Sequence, residues 1–254
     1  MCHDLYNAGI NAVPLTGGQA GIITDNNFTD ARCLNVEPKR ILEMISQGIV
    51  PVVTGFQGVT KEGFLTTLGR GGSDTSASLL GVALNASMIE IYTDVDGIMT
   101  ADPRIVKDAD LIDVISYNEV FQLADQGAKV IHPRAVEIAM EGNVPLLIKN
   151  TMNDCKGTLI NNFGDRSHRR IMSGITSQGD RIQVSISKAD NKENEKYNDI
   201  LDLLAANNVS LDLINIFPDN QVFTINKSDK DLVKTLLNKE KFKYNLIEEC
   251  SKIS

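Results

Sequence analysis

The sequence predicts an α/β protein: a largely parallel sheet with helices on both faces, followed by a small α+β module of βαββα order. Three observations carry this. Up to about residue 160, short apolar runs alternate with amphipathic helical stretches, the mark of crossover connections between parallel strands. From Asn161 the segment "NNFGDRSHRR" is polar and aperiodic, and reads as a linker over 161–170. Beyond it, from 171 to 254, strand and helix patterns return as a second, separate set.

In chain order, "PKRILEMISQG" has Pro38 at a helix start, Ile41, Leu42 and Ile45 on one face, and Gly48 as a stop. "IVPVVTGF" follows as a buried strand. "TSASLLGVALNA" is helical and "SMIEIYTD" is a strand. "YNEVFQLADQGA" and "PRAVEIAMEGN" are two helices closed by glycines, and "VPLLIKNT" is a further strand. In the second set, "DRIQVSISK" is a strand, "YNDILDLLAANN" a helix, "VSLDLINIF" and "NQVFTINK" strands, and "KDLVKTLLNKE" a helix.

Composition narrows the class. The chain has 254 residues, 42% hydrophobic and 23% charged, enough for one large or two smaller domains with proper cores. A net charge of −8, with no basic stripe in the sequence to neutralise phosphates, argues against a nucleic-acid partner. Cys2, Cys33, Cys155 and Cys250 form no CxxC pair, and no metal ligand set or disulfide framework is predicted. No apolar run approaches a membrane span and no signal pattern opens the chain, so a soluble cytoplasmic protein is expected.

Three stretches carry chemistry. In "LGRGGSDTSASLLG" the glycines let backbone N–H groups approach a ligand, and Ser73 or Asp74 is placed to cap the helix that follows. A helix N-terminus suits an anionic group, and Arg70 among glycines is free to form a bidentate pair with a carboxylate or phosphate. The plainer alternative is a capped turn with an exposed arginine. The GK[ST] ending of a Walker A loop is absent.

"YTDVDGIMTADPR" leaves a strand and gathers Asp94, Asp96 and Asp102. EF-hand spacing would need a glutamate where Ile105 stands, so that motif fails. Two readings stay open: an aspartate-rich turn, or a nucleotide site where Thr93, Asp94 and Arg104 meet a purine nucleotide and carboxylates help hold Mg²⁺ indirectly. In "GAKVIHPRA", Lys129 reads as an ordinary solvated lysine, and His132, before a proline, is given no chemistry.

Together "TTLGRGGSDTSA", "YTDVDGIMTADPR", "DQGAKVIHPRAVEIA" and "VPLLIKNT" resemble the aspartokinases, which phosphorylate the β-carboxylate of L-aspartate. "LTGGQAGIITD" fits monofunctional members of that family. The resemblance is strong over most of residues 10–160. It implies an amino-acid-kinase-like fold for 1–160, and an ACT-type regulatory region for 171–254 with an incomplete second unit. The DVDG…DP loop is shared with acetylglutamate, glutamate and uridylate kinases; the GRGGSD turn and the ACT-like tail narrow the choice.

By this resemblance Arg70 clamps a carboxylate of aspartate, Ser73 and Asp74 border the same pocket, and Asp74 is the candidate catalytic residue. Thr93, Asp94, Met99, Thr100, Ala101, Asp102, Pro103, Arg104, Lys129 and Val130 form the ATP site, with Mg²⁺. Many relatives carry a tyrosine where Met99 stands, so base stacking there would become thioether packing. Asp212 matches an acidic residue that holds the effector amine in lysine-sensitive relatives. The loop "KADNKENEKYND" lacks a glycine most relatives place there. Lysine or threonine is the expected effector, and a homo-oligomer through ACT units the expected assembly.

The family opens with a KFGG-type segment whose lysine serves phosphoryl transfer, and "EECSKIS" resembles the start of a second ACT unit. The chain therefore resembles an internal fragment, expected to be inactive alone. The alternatives are a truncated nucleotide or amino-acid binding module, or another amino-acid kinase.

Overall fold

The computed structural model describes residues 1–125, 130–166 and 172–254. They form two compact units, Met1–Thr176 and Ser177–Ser254.

The first unit opens with α1 (Cys2–Asn7), β1 (Ala12–Leu15), β2 (Ile22–Thr24), β3 (Cys33–Val36), α2 (Lys39–Ser46) and β4 (Val50–Val53). It continues with β5 (Gln57–Thr60), β6 (Leu65–Thr67), α3 (Gly72–Ala83), β7 (Ile89–Thr93), β8 (Val114–Ser116) and α4 (Tyr117–Asp125). α5 (Pro133–Glu141), β9 (Leu146–Asn150) and β10 (Thr158–Asn161) complete it. Its strands form three sheets: β1-β4, β3-β2-β5-β6 and β7-β9-β10-β8. β1·β4, β2·β5, β7·β9 and β8·β10 pair parallel, so parallel pairing prevails as the alternating pattern predicts. Antiparallel pairs β2·β3, β5·β6 and β9·β10 join successive strands through loops that the apolar pattern does not announce.

The helix expectations are met where periodicity is strong. α2 starts after Pro38 and ends before Gly48, which takes φ +73°. α3 begins earlier than its apolar run suggests: Gly71, left-handed at φ +69°, is the N-cap, and no side chain caps the helix. Ser73 and Asp74 thus sit inside the first turn.

The main core lies between the β7-β9-β10-β8 sheet and the helices. Ile89, Ile91, Leu146, Ile148 and Ile160 meet Val120, Ala135, Val136 and Ala139. Two close approaches orient the helices. A Cβ on Gly81 of α3 would lie 2.3 Å from Ile89 at the start of β7, so α3 runs antiparallel to β7. A Cβ on Gly142, after α5, would lie 2.4 Å from Val82 at the end of α3, and one on Gly71 would lie 2.2 Å from His132, which caps α5. α3 and α5 are therefore parallel neighbours with both starts at the edge where β7 ends.

The second unit comprises β11 (Ser177–Ser187), α6 (Ile200–Ala206), β12 (Leu211–Phe217), β13 (Asn220–Asn226), α7 (Lys230–Lys239) and β14 (Asn245–Ile253). Its strands form one antiparallel sheet, β12-β13-β11-β14. α6 and α7 bury Ile200, Leu204, Val233 and Leu237 against Ile182, Val184, Phe223 and Ile225. The "EECSKIS" segment lies in β14 up to Ile253, and the pairing of β14 to β11 shifts register around Arg181.

Candidate functional site

The glycine-rich turn links β6 to α3. Gly69 and Gly71 are left-handed, at φ +71° and +69°. Space also demands glycine: an added Cβ would come within 2.1 Å of Asp30 Oδ1 at Gly69, and within 2.6 Å of Phe56 at Gly72. The turn is tied to the 28–31 segment by backbone bonds from Ala31 N to Thr67 O (2.8 Å) and from Thr67 N to Phe28 O (2.9 Å). Arg70 is exposed at its centre, with no hydrogen bond or ion pair to another described residue. Ser73 is exposed and Asp74 half-buried.

α5 supplies contacts that the sequence does not reveal. His132 backbone N–H donates to Asp74 Oδ2 at 3.3 Å, and its Nδ1 accepts from Arg134 N at 3.3 Å, capping α5. The Arg134 guanidinium donates to Leu68 O at 3.0 Å and to Ala31 O at 3.2 Å. The only local signal is the His-Pro pair, a residue in extended geometry before Pro at N1. Arg70, Ser73 and Asp74 are thus gathered where the starts of two helices meet.

The aspartate-rich loop leaves the same edge. Thr93, the last residue of β7, pairs with Asn150 at the end of β9, and Thr93 O accepts from both Thr151 N (2.8 Å) and Thr151 Oγ1 (3.0 Å). Thr93 Oγ1 donates to Asp94 Oδ1 at 3.1 Å, leaving the rest of that exposed carboxylate open. Asp96 points elsewhere. It accepts from Asn150 Nδ2 at 2.7 Å and Asn153 Nδ2 at 2.9 Å, and those amides hold its carboxyl below the usual carboxylate range.

Further on, Met99 bridges Leu111, and Thr100 exchanges bonds with Asp110 (2.8 and 3.0 Å), closing a small reversal. Ala101 is half-buried, and Pro103 and Arg104 are exposed. Arg104 folds back on Asp102, with Nε at 3.0 Å and Nη2 at 2.8 Å, keeping the Asp102 carboxyl below its ordinary range. Val130 packs against the main core, and Lys129 lies outside the described residues.

A groove of about 880 Å³ runs along α3 and α5, from Thr75 and Arg134 to Val82 and Gly142. Thr75, Leu79, Arg134 and Glu137 line it, whereas Arg70, Ser73 and Asp74 do not. The chemistry of the convergent helix starts outweighs this cavity, whose charges are mixed.

In the second unit Asp212 is already engaged. Lys252 Nζ lies 3.0 Å from both carboxylate oxygens, and Arg181 Nη2 lies 3.9 Å away. The Lys252 and Arg181 side chains are only 10% and 15% exposed. Burial alone would raise the Asp212 carboxyl; the Lys252 hydrogen bonds and both cations hold it below the usual range.

Residues 1–150 match the profile of the amino acid kinase family. The chain belongs to that family. Within it, the chain is 38% identical to aspartokinase 1 of Bacillus subtilis over 255 residues, covering 98% of the chain and 63% of the relative. It is 44% identical to an aspartokinase of Geobacillus stearothermophilus over 186 residues, covering 73% of the chain and 46% of the relative. Among solved structures, Escherichia coli aspartokinase III in complex with lysine and aspartate superposes with a TM-score of 0.80 at 26% identity, over 99% of the chain and 58% of that protein. Clostridium acetobutylicum aspartate kinase gives 0.78 at 26%, over 98% and 59%. This family member therefore spans less than two thirds of these relatives. Among its described residues, no helix is long and apolar enough to cross a membrane.

Proposed function

We propose that this chain belongs to an aspartate kinase, which transfers the γ-phosphoryl group of ATP to the β-carboxylate of L-aspartate, giving 4-phospho-L-aspartate and ADP. The observation that carries the reading is Arg70, a guanidinium without a described partner, between glycines at the meeting point of two helix starts. A planar fork fits a carboxylate in a way that an ammonium does not. Backbone N–H groups of the first turn of α3 add fixed donors where negative charge gathers. Ser73 borders the same pocket. Asp74, the candidate catalytic residue, keeps the α3 and α5 starts in register through the His132 N–H.

Thr93, Asp94 and the Met99–Arg104 stretch are read as the ATP side of the site, with Lys129 and Val130. The exposed Asp94 carboxylate at the end of β7 fits Mg²⁺, which commonly takes one or two carboxylates alongside phosphate oxygens. Bound there, the ion would neutralise phosphate charge. Arg104 reaches a nucleotide only by leaving Asp102.

The reading makes 1–160 catalytic, 161–170 a linker and 171–254 an ACT-type regulatory region, in a cytoplasmic homo-oligomer. An effector amine, from lysine or threonine, would reach Asp212 only by displacing the Lys252 amine. E. coli aspartokinase III, solved with lysine and aspartate, supports this substrate and effector class.

The test is coupled ADP release by the protein expressed from its natural gene, with aspartate, glutamate and acetylglutamate offered in turn. Turnover with aspartate alone is expected. Arg70→Lys should lower kcat/KM for aspartate about 10- to 150-fold, the equivalent of roughly 1.5–3 kcal/mol for a lost charge-assisted pair, with KM for ATP unchanged. Unchanged aspartate kinetics in that variant would remove Arg70 from the site.

A further inference from the structure

We propose that Arg134, in the first turn of α5, is a positioning residue: it sets the Gly69–Asp74 loop and so aims Arg70 at the substrate carboxylate. The inference rests on the reading of that loop as the aspartate site. The first turn of α5 grips the loop on both sides of Arg70. Before it, Arg134 Nη1 donates to Leu68 O at 3.0 Å. After it, the His132 ring abuts Gly71, and His132 N–H donates to Asp74 Oδ2 at 3.3 Å. Arg70 lies between these fixed points with an exposed side chain, so its aim is set by its backbone rather than by side-chain bonds.

Arg134 joins two chain segments with one group. Its Nη2 donates to Ala31 O at 3.2 Å while Nη1 holds Leu68 O. Asp30, 3.9 Å from Nη1, stands against the Gly69 backbone. Such a span needs diverging donors on a rigid plane, which a guanidinium has and a single ammonium lacks. Leu68 and Ala31 are fully buried, so removing the guanidinium would leave two carbonyls without this donor. The damage would fall on the loop and not on the β7-β9 sheet, whose core does not include Arg134.

The experiment compares wild type, Arg134→Ala and Arg134→Lys in two ways: kinetics with aspartate or ATP varied, and amide hydrogen exchange of residues 68–74 against 89–93. Arg134→Ala should raise KM for aspartate about tenfold and speed exchange in 68–74 by a similar factor. KM for ATP, kcat and exchange in 89–93 should stay within about twofold. Arg134→Lys should recover part of both losses. Unchanged exchange in 68–74 would overturn the proposal. So would a fall in kcat at constant KM with both segments loosening together, the signature of general destabilisation. A wild type without aspartate-dependent ADP release would sink the aspartate reading alone; the exchange comparison would still decide the role of Arg134.

Discussion

Gly71→Ala is expected to be among the most damaging single-methyl changes in this protein, and its cost divides into two parts. Gly71 holds φ +69°, and placing an L-residue there costs about 1–2 kcal/mol. The new Cβ would also stand 2.2 Å from His132 Cγ and 2.4 Å from Cδ2, a clash that forces the imidazole or the α5 start to move. Overpacking of this kind adds about 1–3 kcal/mol. The sum, about 2–5 kcal/mol, is a large part of the roughly 5–15 kcal/mol that holds an ordinary domain together. Gly48→Ala provides the control, because Gly48 has φ +73° and nothing within 4 Å of its added Cβ. It should cost only the conformational share. Urea unfolding followed by far-UV circular dichroism measures both, and Gly71→Ala with His132→Ala should recover the clash component only. If Gly71→Ala proves no more costly than Gly48→Ala, the reasoning about the close approach of α3 and α5 is wrong.

Other outcomes follow from the polar contacts. Asp212→Asn should destabilise the second unit by about 1–3 kcal/mol at neutral pH, because it removes the anion between Lys252 and Arg181. The Asp212 carboxyl is held below its ordinary 3.8, so its contribution is complete above that value and lost as pH falls through the folded one. Wild type and variant should therefore converge in acid unfolding curves. Tyr117 is buried with its hydroxyl donating to Val144 O at 2.7 Å, so Tyr117→Phe should cost about 1–2 kcal/mol by denaturant titration. Burial pushes this phenol up to about 12 from 10.0. Its stabilisation is complete below pH 10 and lost as pH rises through about 12, which ultraviolet titration of the phenolate would follow. Asp102→Asn removes a surface ion pair with the exposed Arg104, so the midpoint of a denaturant titration should barely move.

What could be read from the chain depended on range. α2, α5 and the β7–β9 pair follow from apolar spacing and from Pro38, Gly48 and Pro133, all local signals. Strands β2, β6 and β8 have three residues each, too few for alternation to stand out, and their pairing is set by reversals elsewhere. Ser73 and Asp74 are good caps in isolation, so the sequence points to a later start for α3, whereas the packing against His132 selects Gly71. The glycine turn stands out in the sequence, yet its tie to Arg134, 66 residues from Leu68, leaves no trace in the local pattern. Asp212 was legible as a special acid, but its partner Lys252, 40 residues on, was not.

The side-by-side start of α3 and α5 has an electrostatic cost. Two parallel helices bring their positive ends together, and like poles repel across the short gap between Gly71 and His132. Asp74 offsets part of that repulsion from within. On the proposed reading, a bound carboxylate would offset more of it. Ligand occupancy and fold stability are then one linked equilibrium: a carboxylate ligand at a hundred times its Kd should add about 2.7 kcal/mol to the first unit. If that reading holds, a melting curve with and without aspartate would show the shift without any turnover being measured.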